Sequence, residues 1–248
     1  MRDELNDANR QSNGLAKGYT DPVPSVQPQE TGTVMSPSLA ALRQEYARGA
    51  LNKADVDPNP LKQFQRWLEE AITAQLPEPN AMTLATADRT GRPYARAVLL
   101  KECDAAGFVF YTNYRSDKGQ QLAASPHAAL LFLWLELERQ VRVEGTVSKL
   151  PPAESEAYFR SRPRESRLGA LASRQSQVVA NRQILDERFE TLAAQYPDDN
   201  MPMPYHWGGY RVQPELLEFW QGRQGRMHDR LRYRRQVDGG WRLERLEP

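Results

Sequence analysis

Apolar positions recur every three or four residues after Asn59-Pro60, at Leu61, Phe64, Trp67, Leu68 and Ile72 of LKQFQRWLEEAITAQ. This spacing predicts a helix with one apolar face, opened at Asn59-Pro60 and closed by Leu-Pro-Glu-Pro-Asn at 76–80. LAALRQEYARGAL (39–51) carries the same spacing and predicts an earlier helix. From residue 81 the period shortens. AMTLATA (81–87), PYARAVLLK (93–101) and FVFYT (108–112) read as strands, separated by the turns Asp88-Arg-Thr-Gly91 and CDAAG. DKGQQLAAS reads as a short helix that Ser116 can cap. AALLFLWLE (128–136) and RQVRVEGTVSKL (139–150) return to strand character. The second of these alternates Val141, Val143 and Val147 with Arg142, Glu144 and Ser148.

Helical spacing resumes after Pro151-Pro152 through Glu154–Arg160, again near 165–173, and over Ala180–Tyr196. A polar, proline-rich loop (197–206) leads to GGYRVQ, ELLEFWQG, RLRYRRQV and GWRLERL, the last pair joined by Asp238-Gly239-Gly240. Seven or eight short strands with helices between groups of them do not make a strand–helix–strand alternation. An antiparallel barrel with added helices is therefore expected, of α+β class and mainly β, rather than a doubly wound parallel sheet.

Composition divides the chain. The hydrophobic fraction is 40%, below the usual ~45–50%. Residues 1–37 hold one aromatic, Tyr19, and prolines at 22, 24, 28 and 37. Such a segment buries too little apolar area to offset ordering entropy, so a disordered tail is expected at 1–37, followed by one domain over 38–248. One cysteine, Cys103, excludes an intramolecular disulfide, and histidines at 127, 206 and 228 have no zinc spacing, so no metal is expected. With no membrane-length apolar run and no signal-peptide core, a soluble cytoplasmic protein is expected.

The charge balance is 33 cations against 32 acids, yet 27 of the cations are Arg and 6 are Lys. A GC-rich coding bias explains such a ratio as well as function does, unless the arginines cluster. They do: six lie between 221 and 235 beside a single acid, Asp229. If 226–230 is a strand, Arg226, His228 and Arg230 share one face, an electropositive line suited to an anion. The same cluster also fits a nucleic-acid-binding face or a charged barrel exterior. Tyr158-Phe-Arg-Ser-Arg162-Pro-Arg-Glu-Ser166 offers hydroxyls and guanidiniums at a helix start, and reads equally as an oxyanion site or a solvated turn. Arg96 and Lys101, on opposite faces of the expected 93–101 strand, read more simply as solvated charges than as two anion ligands. His127 and His206 read as structural, and Trp67 and Trp134 as core. There is no glycine-rich phosphate loop and no nucleophile elbow.

RAVLLK (96–101), FVFYTN (108–113), LERQVRVEG (137–145), YFRSRPRESRLGA (158–170), SRQS (173–176), WGGYRV (207–212) and EFWQG…RMHDR (218–230) together resemble the pyridoxine/pyridoxamine 5′-phosphate oxidase family over essentially 39–248. The resemblance implies an antiparallel split β-barrel homodimer with FMN at the subunit interface. It implies oxidation of pyridoxamine or pyridoxine 5′-phosphate to pyridoxal 5′-phosphate, with O2 reduced to H2O2, and no nucleic-acid or membrane partner. By position, Arg96, Val98, Leu99, Lys101, Tyr111, Thr112, Lys118, Gln140, Gln175, Ser176, Trp220 and Arg230 are similar to flavin-site residues. Lys101, Tyr158, Arg162 and Ser166 resemble the substrate-phosphate pocket, Arg226 and His228 the pair over the substrate ring, and Arg43 and Tyr46 a segment that closes over the site. The family usually has Ser-Arg-Lys where this chain has Ser116-Asp117-Lys118, which sets an acid beside a phosphate. Arg115 is then the nearest replacement cation.

Overall fold

The computed structural model describes residues 45–198 and 200–248. The expected tail and residues 39–44 of the first expected helix lie outside the described residues. The second expected helix is present as α1 (Pro60–Thr73), with the Asn59 side chain accepting from the Leu61 amide at 2.9 Å. Its buried face is Leu61, Phe64, Trp67 and Ala71. Ile72, expected on that face, is exposed. At 100° per residue Ala71 falls within about 20° of Phe64, and Ile72 about 80° away.

Nine strands among the described residues form one antiparallel sheet: β1 (Ala81–Ala87), β2 (Pro93–Leu99), β3 (Glu102–Asp104), β4 (Gly107–Asn113), β5 (His127–Trp134), β6 (Arg139–Lys149), β7 (Trp207–Gln221), β8 (Asp229–Arg235) and β9 (Trp241–Leu246). The order runs β2-β1-β5-β6-β7 and then divides. The first half of β7 pairs with β4 through Trp207–Val212, and its second half pairs with β8 through Leu216–Gln221. One strand thus carries two separate arms, β4-β3 and β8-β9.

The sheet curls. β5 and β4 are three strand steps apart, roughly 14 Å along a flat sheet. Yet Phe132 of β5 and Phe108 of β4 have ring centroids 6.2 Å apart, and Phe64 of α1 touches both at 4.7 and 4.8 Å. This wrapped interior, with Trp67, Leu84, Leu130, Val141, Val143, Leu217, Phe219, Leu231 and Tyr233, is the core. It is a split barrel plugged by α1. Four more helices, α2 (Asp117–Ala124), α3 (Pro152–Ser161), α4 (Arg164–Ala172) and α5 (Gln183–Gln195), lie between strand groups. No described helix is long and apolar enough to cross a membrane.

Three expectations are corrected. Residues 45–51 are not helical. Leu51 is buried in the core, and the Leu51 amide donates to Asp229 Oδ2 at 3.0 Å while its carbonyl accepts from Arg245 Nη2 at 2.8 Å, so its backbone is bound elsewhere. GGYRVQ and ELLEFWQG are one 15-residue strand, not two. Pro214, the apparent break, sits where β6 shifts register at Glu144/Gly145, and a bulge needs no amide there. CDAAG is only partly a turn, because Glu102–Asp104 pairs with Gly107–Val109.

Candidate active site

The first cluster forms where the β2 edge meets the start of α2. Arg96 lies opposite Leu84 in the β1–β2 hairpin and shares its inward face. Its guanidinium donates to Leu84 O (3.1 Å), Thr86 Oγ1 (2.6 Å) and Gln121 Oε1 (2.9 Å), all neutral acceptors. Lys118, in the first turn of α2, is 9% exposed and its ammonium makes no hydrogen bond or ion pair among the described residues. Burial, and then the neighbouring Arg96, lower the Lys118 pKa, while Asp117 opposes the shift. Burial likewise lowers that of Arg96. Ser176, at φ 71°, accepts from the Asp117 amide at 3.2 Å, which brings the 173–182 loop to the same helix start. Two desolvated cations without a carboxylate in contact suit a bound dianion.

The second cluster is a cavity of about 320 Å³ between β4, β7 and the α3–α4 corner. Tyr111, Arg162, Ser166, Gln175 and Trp207 are among its lining residues. Tyr111 stacks on Tyr158 at 3.9 Å and on Trp207 at 5.4 Å. Gly209 permits this, because a Cβ there would lie 2.9 Å from the Tyr111 ring. Arg162 covers the Trp207 face at 4.8 Å, and its Nη1 is buried without a hydrogen-bond partner. Burial lowers its pKa, with Tyr158 opposing and Arg167 reinforcing the shift. An orphaned guanidinium nitrogen lining one cavity with Ser166, at the uncapped first turn of α4, suits a second anion. Gln175 joins the two clusters, its Oε1 accepting from Thr112 Oγ1 at 3.1 Å.

The third cluster lies at the other end of β7. Trp220 meets His228 at 4.6 Å, and Tyr46 meets both rings at 5.7 and 5.8 Å. The Arg223 amide donates to His228 Nδ1 at 3.2 Å. That nitrogen is therefore an acceptor, and the neutral imidazole carries its proton on Nε2. Arg230 is held by the buried carboxylate of Glu218 at 2.9 and 2.8 Å and by Glu247 O at 2.9 Å. Glu218 also binds Arg142 at 3.0 Å.

Comparison with known proteins shows the family of the chain. The family model described as "Pyridoxamine 5'-phosphate oxidase" matches residues 68–196, and that of the "Pyridoxine 5'-phosphate oxidase C-terminal dimerisation region" matches 207–248. The chain is 59% identical over 211 residues to the pyridoxine/pyridoxamine 5′-phosphate oxidase of Paraburkholderia phymatum, covering 85% of this chain and 99% of that one. It is 56% identical over 214 residues to the Cyanothece protein of that name, covering 86% and 100%. The chain belongs to the pyridoxamine 5′-phosphate oxidase family. Among solved structures, PhzG from Burkholderia lata, in complex with tetrahydrophenazine-1-carboxylic acid, superposes with a TM-score of 0.76 at 31% identity, over 80% of this chain and 98% of that one. An FMN-binding protein from Nostoc punctiforme, at 18% identity and TM-score 0.65 over 78% of this chain and 100% of that one, shares the fold.

Within this oxidase-family fold, Arg96, Lys118 and Ser176 meet in the first cluster; Tyr111, Tyr158, Arg162 and Ser166 in the second; Tyr46, Trp220 and His228 in the third. Arg43 lies outside the described residues. Other expectations change. Strand β2 ends at Leu99, so Lys101 is not on it; the Lys101 amide donates to Val109 O at 2.8 Å and its side chain is exposed. The opposite-face argument for Arg96 and Lys101 therefore fails. Val98 and Leu99 do face opposite ways, Val98 packing against the core and Leu99 exposed. Neither Arg226 nor His228 is on a strand with Arg230, because β8 begins at Asp229. Arg226 sits at φ 61° in a single 3-10 turn before β8, so the three do not form a line on one face. Arg115 does not replace a cation beside Lys118. Its guanidinium lies on Tyr205 at 4.7 Å, in a separate cavity of about 770 Å³ with Arg174, Arg188 and His206. His206 there has a buried Nδ1 without a partner, and burial followed by Arg115 lowers its pKa. Gln140 sits opposite Trp220 across β6–β7. Sequence reasoning missed Thr86, Gln121 and Trp207 as site neighbours. Only Trp207 had a visible signal, as the first residue of WGGYRV.

Proposed function

We propose that this protein is an FMN-dependent oxidase that converts pyridoxamine or pyridoxine 5′-phosphate to pyridoxal 5′-phosphate, O2 being reduced to H2O2. One observation carries the reading. Two separate holes each hold a desolvated cation, the buried Lys118 beside Arg96 in one and the half-buried Arg162, whose Nη1 is buried without a partner, in the other. The proposed cofactor and the proposed substrate each carry one phosphate. The names of the relatives favour the same substrates. When bound, FMN supplies the acceptor for the two electrons and hands them to oxygen.

The chain's own residues do the rest. Arg96, Lys118 and the Ser176 hydroxyl hold the cofactor phosphate; Thr112 and Gln175 border its path. Arg162, Ser166 and Tyr158 grip the substrate phosphate. Gripping a remote phosphate turns binding energy into orientation at the reacting carbon. His228 presents Nε2–H as a hydrogen-bond donor, because Nδ1 is committed to the Arg223 amide. It therefore orients the substrate rather than accepting a proton at Nε2. Arg226, at an exposed turn, supplies positive charge over the ring.

The working unit is a homodimer. The outer face of β1, β2 and β5 presents Ala85, Ala95, Ala97, Leu99, Leu131 and Leu133, with Leu133 52% and Leu99 37% exposed, an apolar surface suited to a second copy. The 207–248 match to a dimerisation region supports this. The test is an absorption spectrum of the purified protein, then pyridoxamine 5′-phosphate under air. Flavin bands and one aldehyde with one ammonia per O2 consumed are expected. A colourless protein that FMN fails to reconstitute refutes the reading.

A further inference from the structure

We infer that Asp229 and Arg245 form a backbone clamp that holds the non-helical segment 45–51 against β8 and β9 and so positions Tyr46 beside His228. The inference rests on the proposed function above. Segment 45–51 has no regular structure and so no ladder to fix it. Both polar groups of the Leu51 backbone are nevertheless bound by one ion pair. Asp229 Oδ2 accepts from the Leu51 amide at 3.0 Å, Arg245 Nη2 donates to the Leu51 carbonyl at 2.8 Å, and Asp229 Oδ1 accepts from Arg245 Nη1. Arg223 lies 3.5 Å from Asp229 Oδ2 through its guanidinium, while its amide holds His228 Nδ1. The Asp229 carboxylate thus links the segment to the imidazole through one residue.

Farther along the segment, the Arg48 amide donates to Glu138 Oε2 at 2.9 Å. Tyr46 then rests on Gly222, where a Cβ would lie 2.7 Å from the tyrosine ring, and its ring meets Trp220 and His228. Asp229 sits between His228 and Arg230 in the chain. Asp229 lies opposite Gln221 in the β7–β8 pair and Arg230 opposite Trp220, the ring that His228 meets, so the Asp229 side chain faces away from that of Arg230. One short run therefore carries the site residues on one side and the anchor of the covering segment on the other. Asp229 and Arg245 are positioning residues, acting on substrate only through Tyr46.

The test uses the full-length, FMN-loaded protein and five variants: Asp229→Ala, Asp229→Asn, Arg245→Met, Tyr46→Ala and the Asp229→Ala/Tyr46→Ala double. Losing a charged hydrogen-bond anchor is expected to speed tryptic cleavage after Arg48 about tenfold in Asp229→Ala. KM for pyridoxamine 5′-phosphate should rise about fivefold, with kcat and FMN affinity within about twofold of the parent. Asp229→Asn keeps an acceptor for the Leu51 amide and should fall between parent and Ala. The double variant should match Tyr46→Ala alone, which a merely structural role for Asp229 would not produce. If Asp229→Ala does not fold, Arg245→Met reads the same clamp from its other half. Parent-like cleavage in both variants, or KM effects that multiply in the double, overturn the inference. Cleavage does not depend on oxidase activity, so an inactive parent would refute the functional reading while leaving the clamp readable.

Discussion

The two anion holes and the Trp220–His228 cluster are built on opposite plans. Arg96, Lys118 and Arg162 are desolvated cations packed into the fold before any ligand arrives. Arg226 and Met227 sit on an exposed turn, and Tyr46 reaches His228 on a segment without regular structure. The first plan holds desolvated cations, which the proposed function assigns to phosphate. The second includes an exposed turn, and the proposed function assigns it to orientation over the reacting ring. Electrostatic pre-organisation is costly in folding, so it is confined to the groups that gain most from a dianion.

Substitutions separate the two plans. Arg162→Ala should have the largest effect, raising KM for the phosphorylated substrates about 50-fold, near 2–3 kcal/mol, because a charged donor whose Nη1 is buried is removed. Steady-state kinetics that moved less than twofold would remove Arg162 from the phosphate site. Lys118→Met should weaken FMN about 20-fold and leave riboflavin, which lacks the phosphate, almost unchanged. Flavin-fluorescence quenching measures both. The Lys118 pKa is lowered in the free protein, so its ammonium is lost at a lower pH than an exposed lysine's. FMN affinity should therefore fall as pH rises through the window below the ordinary lysine value of 10.5, and Lys118→Met should flatten that fall. The smallest effect belongs to Asp117. Its carboxylate acts on both Arg96 and Lys118, so Asp117→Arg should tighten FMN several-fold, to about threefold or more. Looser or unchanged binding in that titration would show that the exposed acid is screened by solvent.

The legible parts of the fold were those with a local period. α1 and the alternation of β6 follow from side-chain spacing alone. β7 was misread as two strands because Pro214 looks like a break, whereas a bulge across from Glu144/Gly145 absorbs it. Residues 45–51 were misread as helical because a 3.6 period in apolar residues says nothing about Asp229 and Arg245, nearly 200 positions away, taking the Leu51 backbone. The site was legible only through resemblance. Arg96 and Lys118 meet because a hairpin and a helix start converge, and no spacing rule brings 96 to 118. Gln121 and Thr86 were invisible for the same reason. Arg226 needed φ 61°, which no strand reading of RMHDR allows.

The length of β7 has a further consequence. Gly209, under the Tyr111 stack, and Trp220, at the His228 cluster, are held on one continuous strand, roughly 36 Å of extended chain apart at about 3.3 Å per residue. A ruler of that length keeps a chain's own second and third clusters from closing on one small substrate. If copies exchange these ends across a two-fold axis, every working site is a hybrid. Arg162→Ala and His228→Ala chains, each impaired at low substrate when pure, should then regain up to about half of one dimer's low-substrate turnover when mixed and allowed to re-pair, because one of the two sites in each mixed dimer receives neither lesion.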